Sequence, residues 1–154
     1  MTLLNRKVDY ALLILCYLYH RAAGGSAREI AEHFGLSRAF VANILKDLCQ
    51  QWFVTSERGV HGGYRLHPAA EQRSLAELID ALDSPVRLAE CNDAPSNDCC
   101  SLAPTCPIRA PIAEVHNRIR AVLANVPLVE VFATPESQPV LLEVSRCSTA
   151  PVPG

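Results

Sequence analysis

Long hydrophobic runs are missing from this sequence of 154 residues. No uninterrupted apolar stretch approaches the roughly 18 to 20 residues that a helix needs to cross a bilayer. The opening stretch is apolar, but Arg6, Lys7 and Asp9 interrupt it, and no small-residue cleavage pattern follows, which argues against a secretory signal peptide. We therefore expect a soluble, cytoplasmic protein that makes no contact with a membrane.

The residue combinations that usually carry catalysis are missing as well. The sequence contains no nucleotide-binding loop and no acid–base pair, and it shows no redox centre besides the cysteine cluster described below. Its length allows one modest hydrophobic core with appendages and is too short for two full domains. These absences disfavour an enzyme or an electron carrier and favour a small binding protein. A module that contacts only other proteins stays open as an alternative.

An overall excess of basic residues is also lacking, because the net charge is -2. The charge is unevenly divided along the chain. Residues 1–70 contain eight Lys and Arg against five Asp and Glu, a net charge of +3, whereas residues 71–154 contain six against eleven, a net charge of -5. The first half is therefore the candidate surface for an acidic partner such as DNA.

Three helices are predicted in the first half of the chain. Apolar residues recur at spacings of three and four over residues 7–20, which indicates an amphipathic helix. Ser26 and Glu29 have the spacing of a capping box, so a short second helix should follow them. A tight turn over residues 35–37 leads into a third helix that ends near Gln51. Two helices across a three-residue turn indicate a helix-turn-helix.

A hairpin and two further helices are predicted beyond the third helix. Residues 53–57 and 64–67 are strand-like and are joined by a loop rich in Gly and basic side chains, which indicates a wing. A second capping box at Ser74 begins a helix that ends near Asp83. Further along the chain, apolar residues recur at spacings of three, four, three and four residues. Such a narrow apolar stripe on a helix is suited to packing against the same helix of a second copy. The residues of this stripe are Ile112, Val115, Ile119, Val122 and Val126.

The predicted fold class is mainly α with a small β-hairpin, a winged helix-turn-helix followed by a long dimerisation helix. We expect residues 1–83 to form the DNA-binding domain, 84–107 a cysteine-rich loop, and 108–133 the dimerisation helix region. Prolines punctuate residues 134–154, which bury too little apolar area to offset the entropy of ordering, so this tail should be disordered.

Side chains at the start of the third helix are the predicted DNA-reading set, since this part of a helix-turn-helix lies in the major groove. Arg38 could bond a guanine and Asn43 an adenine, whereas Lys46 suits a phosphate and Arg58 of the wing suits the minor groove. The full predicted set is Arg28, Ser37, Arg38, Ala39, Ala42, Asn43, Lys46, Arg58 and His61. The alternative is that these residues form an ordinary solvated surface.

Four of the seven cysteines are clustered between Cys91 and Cys106, which in a reducing compartment favours a metal over disulfides. Cys91, Cys100 and Cys106 are separated by eight and five residues. These gaps exceed the roughly two to four residues typical of structural zinc, which favours an iron–sulfur cluster. Cys99 is an alternative ligand to Cys100. Thiols that sense oxidants without a metal stay open as an alternative.

Three separate stretches resemble a known family of regulators. They are residues 5–12 (NRKVDYAL), the wing with Arg58-Gly59 and residues 62–66 (GGYRL), and the three spaced cysteines. Together they are similar to the bacterial winged-helix iron–sulfur regulators of the Rrf2 family, which includes IscR, NsrR and RirA. The resemblance covers residues 1–133. It implies a homodimer with crossed long helices, a cluster bound by the three cysteines, and an operator-binding repressor or activator governed by the state of that cluster.

The fourth cluster ligand separates the branches of this family. In the IscR branch a His follows the last Cys by three positions and completes a 2Fe-2S site, but Arg109 stands there, and a guanidinium is no metal ligand. In the NsrR branch an Asp near the start of the partner subunit can complete the site, and Asp9 matches it. The resemblance therefore implies a 4Fe-4S rather than a 2Fe-2S cluster, sensing nitric oxide, iron or redox state. A helix-start carboxylate or a salt-bridge partner is the alternative role for Asp9, and Glu90 and Asp98 are lesser candidate ligands.

Overall fold

The computed structural model describes residues 5–59, 62–82, 88–89, 102 and 105–133. Helices dominate these residues and the two strands form an antiparallel hairpin, which confirms the predicted fold class. No helix within these ranges is long and apolar enough to span a membrane. The elements are α1 (Arg6–Tyr19), α2 (Ala27–Phe34), α3 (Arg38–Gln50), β1 (Val54–Glu57), β2 (Gly63–Leu66), a short 3-10 helix (Pro68–Gln72), α4 (Leu75–Ala81), α5 (Arg109–Ala124) and α6 (Leu128–Phe132).

Side-chain caps fix the bounds of the helix-turn-helix. The predicted capping box is present at the start of α2, where Glu29 N–H donates to Ser26 Oγ at 3.2 Å and Ser26 N–H donates to Glu29 Oε2 at 2.7 Å. Gly35 ends α2 in the left-handed conformation, with φ of 65°. Ser37 Oγ then accepts the Phe40 N–H at 3.2 Å and begins α3. The sequence therefore determines this motif through local hydrogen bonds.

The core lies where α1 packs against α3. Its fully or almost fully buried side chains include Val8, Ala11, Ile14, Leu15 and Leu18 of α1, and Val41, Ile44, Leu45 and Leu48 of α3. Polar and aromatic contacts border this interface, with Lys7 Nζ 2.8 Å from Asp47 Oδ2 and the Tyr10 ring edge-on to Phe40 at 5.1 Å. Burial of one face of α3 leaves its opposite face exposed.

In the hairpin, Val54 lies opposite Leu66 and Glu57 lies opposite Gly63. Strand β1 begins one residue later than predicted and β2 begins one residue earlier. Tyr64 also forms a backbone bridge outside the hairpin, since Gly25 N–H donates to the Tyr64 carbonyl at 3.0 Å and Tyr64 N–H donates to the Gly25 carbonyl at 2.8 Å. The turn between α1 and α2 is thereby attached to the wing.

The turn between α3 and β1 places two consecutive aromatic residues in opposite environments. Trp52 has φ of 60°, in the left-handed region that bulky residues rarely adopt. Its side chain is 70% exposed, with its ring 6.2 Å from that of His67. Phe53 is fully buried. The strained turn therefore allows Phe53 to enter the core immediately after α3 ends.

The second half of the described chain packs on this body through α4 and the link between α5 and α6. Ser74 and Glu77 form the second predicted capping box, and Arg120 Nη1 of α5 donates to Asp80 Oδ1 of α4 at 3.0 Å. The predicted end of α4 near Asp83 lies outside the described residues. Helix α5 ends at Ala124, so the apolar stripe does not continue in the helix to Val126, whose carbonyl instead accepts the Leu75 N–H at 2.9 Å.

Replacing Gly35 or Gly24 with Ala should separate backbone strain from steric collision. Both glycines have positive φ, but a Cβ on Gly35 would meet no atom within 4 Å, whereas one on Gly24 would collide with the Tyr64 carbonyl oxygen. We expect Gly35→Ala to lower the free energy of unfolding by about 1 to 2 kcal/mol, the cost of a left-handed alanine. Gly24→Ala should lower it by more, since the wing must move. Urea denaturation measures both, and equal losses would contradict the collision.

Candidate nucleic-acid interface and cysteine segment

The exposed face of α3 carries the predicted base-reading residues. Arg38, Ala39, Asn43 and Lys46 are exposed, and Ala42 is half-buried. Ser37 is exposed too, but its hydroxyl oxygen is engaged in capping α3. The spacing of three and four residues sets this face opposite the buried stripe, so the side chains predicted to contact DNA share one side of the helix.

A groove collects three predicted DNA-binding arginines from three elements. Arg28 of the first turn of α2, Arg38 at the start of α3 and Arg58 of the wing all line it, together with Ala42. We call this surface the arginine groove. Glu57 also lines it, so three arginines stand against one carboxylate. This excess of positive charge suits an anionic ligand, because each guanidinium presents several N–H donors in one plane.

One carboxylate in a depression next to the arginine groove was missed by sequence reasoning. Glu32 Oε1 accepts a hydrogen bond from Arg28 Nε at 2.8 Å, and this hydrogen bond and the charge of Glu32 raise the pKa of Arg28 further above its ordinary value. Glu32 and Arg38 both line this depression. The spacing of four residues along a helix is the signal that could have identified this pair. Arg28 therefore carries a local acidic partner as well as its predicted role.

The wing positions Arg58 beside the strand end. Arg58 is exposed directly after Glu57, the last residue of β1. Gly62 N–H donates to the Gly59 carbonyl at 2.9 Å and closes the loop. A Cβ on Gly62 would lie 2.5 Å from the Glu57 carbonyl oxygen, which explains why glycine stands there. His61, the remaining predicted DNA contact, lies outside the described residues.

Of the predicted cluster ligands, Cys106 and Asp9 are described. Cys106 is half-buried three residues before α5 begins, and its carbonyl accepts the Arg109 N–H at 3.4 Å. Asp9 is exposed in the first turn of α1. Cys91, Cys99, Cys100, Glu90 and Asp98 lie outside the described residues. Within the described residues no group of three or more His, Cys, Asp or Glu side chains could hold a metal ion.

The apolar stripe of α5 is divided between the body and solvent. Ile119 packs against the core, as does Leu123, which the sequence pattern did not include. Val115 and Val122, seven residues apart, are exposed, and Ile108 continues their line one heptad earlier. A heptad line of exposed apolar residues is typical of a helix that packs on another helix.

The sequence comparison decides the family. The family described as "Rrf2: Iron-dependent Transcriptional regulator" matches residues 4–134, most of the chain. The chain belongs to the Rrf2 family. An rrf2-like HTH-type transcriptional regulator of Rhodobacter capsulatus is 31% identical over 150 residues, which cover 92% of this chain and 99% of the relative. The Rrf2 chain is therefore a transcription regulator with a DNA-binding fold and not an enzyme.

Solved structures agree with this Rrf2 fold. A transcriptional regulator from Listeria innocua is 25% identical, with a TM-score of 0.68 over 91% of both chains. Staphylococcus aureus CymR is 22% identical, with a TM-score of 0.66 over 86% of this chain and 100% of its own. IscR of T. potens is 22% identical, with a TM-score of 0.55 over 83% of this chain and 84% of its own. At 22% identity, the similarity to CymR and to IscR concerns the fold alone.

The capping box beside the arginine groove should make stability depend on pH. Hydrogen bonds from the backbone and side chain of Ser26 hold the pKa of Glu29 below its ordinary value. A carboxyl whose pKa is depressed by folding contributes stability above its unfolded pKa and loses it as pH falls through the folded value. We expect Glu29→Gln to lower the urea midpoint at neutral pH and to leave a smaller difference between the two proteins near pH 3, close to and below carboxyl pKa values. An equal difference between the two urea midpoints at neutral pH and near pH 3 would contradict a stabilising role for the Glu29 carboxylate.

Proposed function

We propose that this chain is a homodimeric repressor that binds an operator through α3 and the arginine groove, in the cytoplasm. The observation that carries the proposal is the convergence of Arg28, Arg38 and Arg58 beside the exposed face of α3. Base edges would meet Arg38 and Asn43, while Lys46 and Arg28 would contact phosphates. Arg58 and His61 of the wing would reach the adjacent minor groove or backbone.

The homodimer part of the proposal is supported by α5. Exposed Ile108, Val115 and Val122 would pack against the same helix of a second copy, since an exposed apolar line costs free energy in a monomer. In the proposed dimer two α3 helices would reach half-sites about 34 Å apart along the duplex. The geometry of the dimer then decides whether both helices can bind at once.

An iron–sulfur cluster is the proposed signal receptor. Three thiolates, Cys91, Cys100 (or Cys99) and Cys106, would hold it, and Asp9 of the partner subunit would supply the fourth, oxygen ligand. The donor chemistry fits a 4Fe-4S cluster in which a weakly held oxygen ligand leaves one iron open. Cys106 is half-buried and Asp9 is exposed, so neither is sealed in the core. When bound, the cluster supplies a centre that reacts with nitric oxide or oxidants.

Cys106 would link this ligand set to the dimer helix, because it lies three residues before α5 begins. Fixing Cys106 fixes the start of α5 and so the separation of the two α3 helices. A complete switch from a bound to an unbound population requires a bias of about 5.5 kcal/mol between the two dimer shapes. A metal-free thiol switch that pairs Cys99 or Cys100 with Cys91 or Cys106 is the alternative mechanism.

Substitutions in the interface should separate base contacts from phosphate contacts. With an operator selected by the wild-type chain from randomised duplexes, we expect Arg38→Ala to lower affinity by about 1 to 3 kcal/mol and to relax base preference at one position. Lys46→Ala should weaken binding to all duplexes and reduce the salt slope by about one. Arg120→Ala is the control, since Arg120 lies on the side of α5 that faces Asp80 of α4 and not on the exposed apolar line. Binding that does not depend on salt concentration would contradict the proposed interface. Equal affinities of the three variants for the selected duplex would contradict it as well.

Anaerobic purification tests the proposed cofactor. We expect a brown protein that contains iron and sulfide, with the colour lost in Cys106→Ala because one of three thiolates is removed. Cys49→Ala is the matched control, since burial raises the pKa of the Cys49 thiol and disfavours its thiolate. Stoichiometric zinc in a colourless protein would reject the iron–sulfur assignment. DNA binding that responds to dithiothreitol, in protein without iron, would favour the thiol switch.

A further inference from the structure

Arg73 contacts the end of α3 that is far from the arginine groove. Its Nη1 donates to the carbonyl oxygen of Gln51, the C-cap of α3, at 2.6 Å. Its guanidinium carbon also lies 3.7 Å from the centre of the Phe53 ring, which is fully buried. The last turn of α3 has no basic residue of its own, so Arg73 supplies the cation that favours a helix C-terminus.

The same guanidinium also contacts α4. Arg73 Nε is 3.3 Å from Glu77 Oε1, while the other carboxylate oxygen of Glu77 accepts the Ser74 N–H at 2.7 Å in the capping box. One planar group therefore joins the C-terminus of α3 to the N-terminus of α4. The Arg73 side chain is 26% exposed, so these contacts are partly shielded from solvent.

The backbone of Arg73 holds the link between α5 and α6. Its carbonyl accepts the N–H of Leu128, the first residue of α6, at 2.8 Å. The neighbouring pair, Ser74 and Pro127, forms an isolated β-bridge, and Leu75 N–H donates to the Val126 carbonyl at 2.9 Å. Residues 73–75 and 126–128 are thus paired like two short strands. A movement of the C-terminal end of α5 would therefore displace the residue that holds α3.

We propose that Arg73 is the positioning residue that couples the orientation of α3 to α5 and thereby sets the half-site spacing that the dimer accepts. This inference rests on the proposed operator-binding dimer. Arg73 lies at the far end of α3 from the arginine groove, so it acts through the angle of the helix. A small rotation of α3 in each subunit changes the distance between the two reading faces along the duplex.

The test compares Arg73→Met with wild type on duplexes of different spacing. Met keeps an apolar chain over Phe53 and removes the hydrogen bonds to Gln51 and Glu77. The probes are the duplex selected by the wild-type chain and the same duplex with its spacer lengthened or shortened by one base pair. We expect the wild type to prefer the selected spacer, and the preference to fall about tenfold in the variant, equivalent to about 1.4 kcal/mol.

Controls separate positioning from simple stability. Arg21→Met removes an exposed arginine that follows α1, whose guanidinium carbon lies 4.7 Å from the centre of the Tyr17 ring, and it should keep the wild-type preference. A folded Arg73→Met with lower melting temperature but unchanged spacer preference would overturn the inference.

A second variant covers the case in which Arg73→Met does not fold. Arg73→Lys keeps the charge but cannot hold Gln51 and Glu77 with one planar group, so it should lose part of the preference. An unchanged preference in Arg73→Lys would overturn the inference as well. A wild-type chain that selects no duplex would overturn the proposed function and this inference together, a result distinct from an intact wild type with unchanged variants.

Discussion

The packing of α3 on α1 is the constraint on which the rest of this structure depends. Val41, Ile44 and Leu45 must face the core that α3 shares with α1 to be buried, so the rotation of α3 about its axis is fixed. That rotation presents Arg38, Asn43 and Lys46 to solvent together. Burial of each large aliphatic side chain contributes about 1.5 to 3 kcal/mol, far more than the exposed pairs on the outer face. The hydrophobic core therefore determines which side chains a duplex could meet.

Local sequence signals predicted much of this architecture. Ser26, Glu29 and Gly35 act on neighbouring backbone groups, so the bounds of α2 follow from the sequence alone. The bridge between Gly25 and Tyr64 was not predicted, because these residues are distant in the chain. The end of α5 before Val126 was not predicted either, since residues 126–128 pair with the distant residues 73–75. Such long-range pairs leave no periodic signal in a single sequence.

The candidate site was predictable to a different extent in its two parts. Residues of α3 could be assigned because helical spacing alone separates the buried face from the exposed one. Glu32 was missed, although it lies four residues from Arg28, and Arg73 was missed because its partners come from three separate elements. The ligand set depends on cysteines distant from Asp9 in the chain, and spacing cannot say which groups meet in space. The cysteine ligands therefore follow from their clustering in the sequence, whereas Asp9 follows from the family resemblance alone.

The unusual turn at Trp52 gives the molecule an internal optical reporter. Trp52 is the single tryptophan of the chain, so indole emission originates from one position between α3 and β1. The ring is 70% exposed to solvent, and its centre lies 6.2 Å from that of the His67 ring. Any rearrangement at the junction of the reading helix and the wing would therefore alter fluorescence without a label.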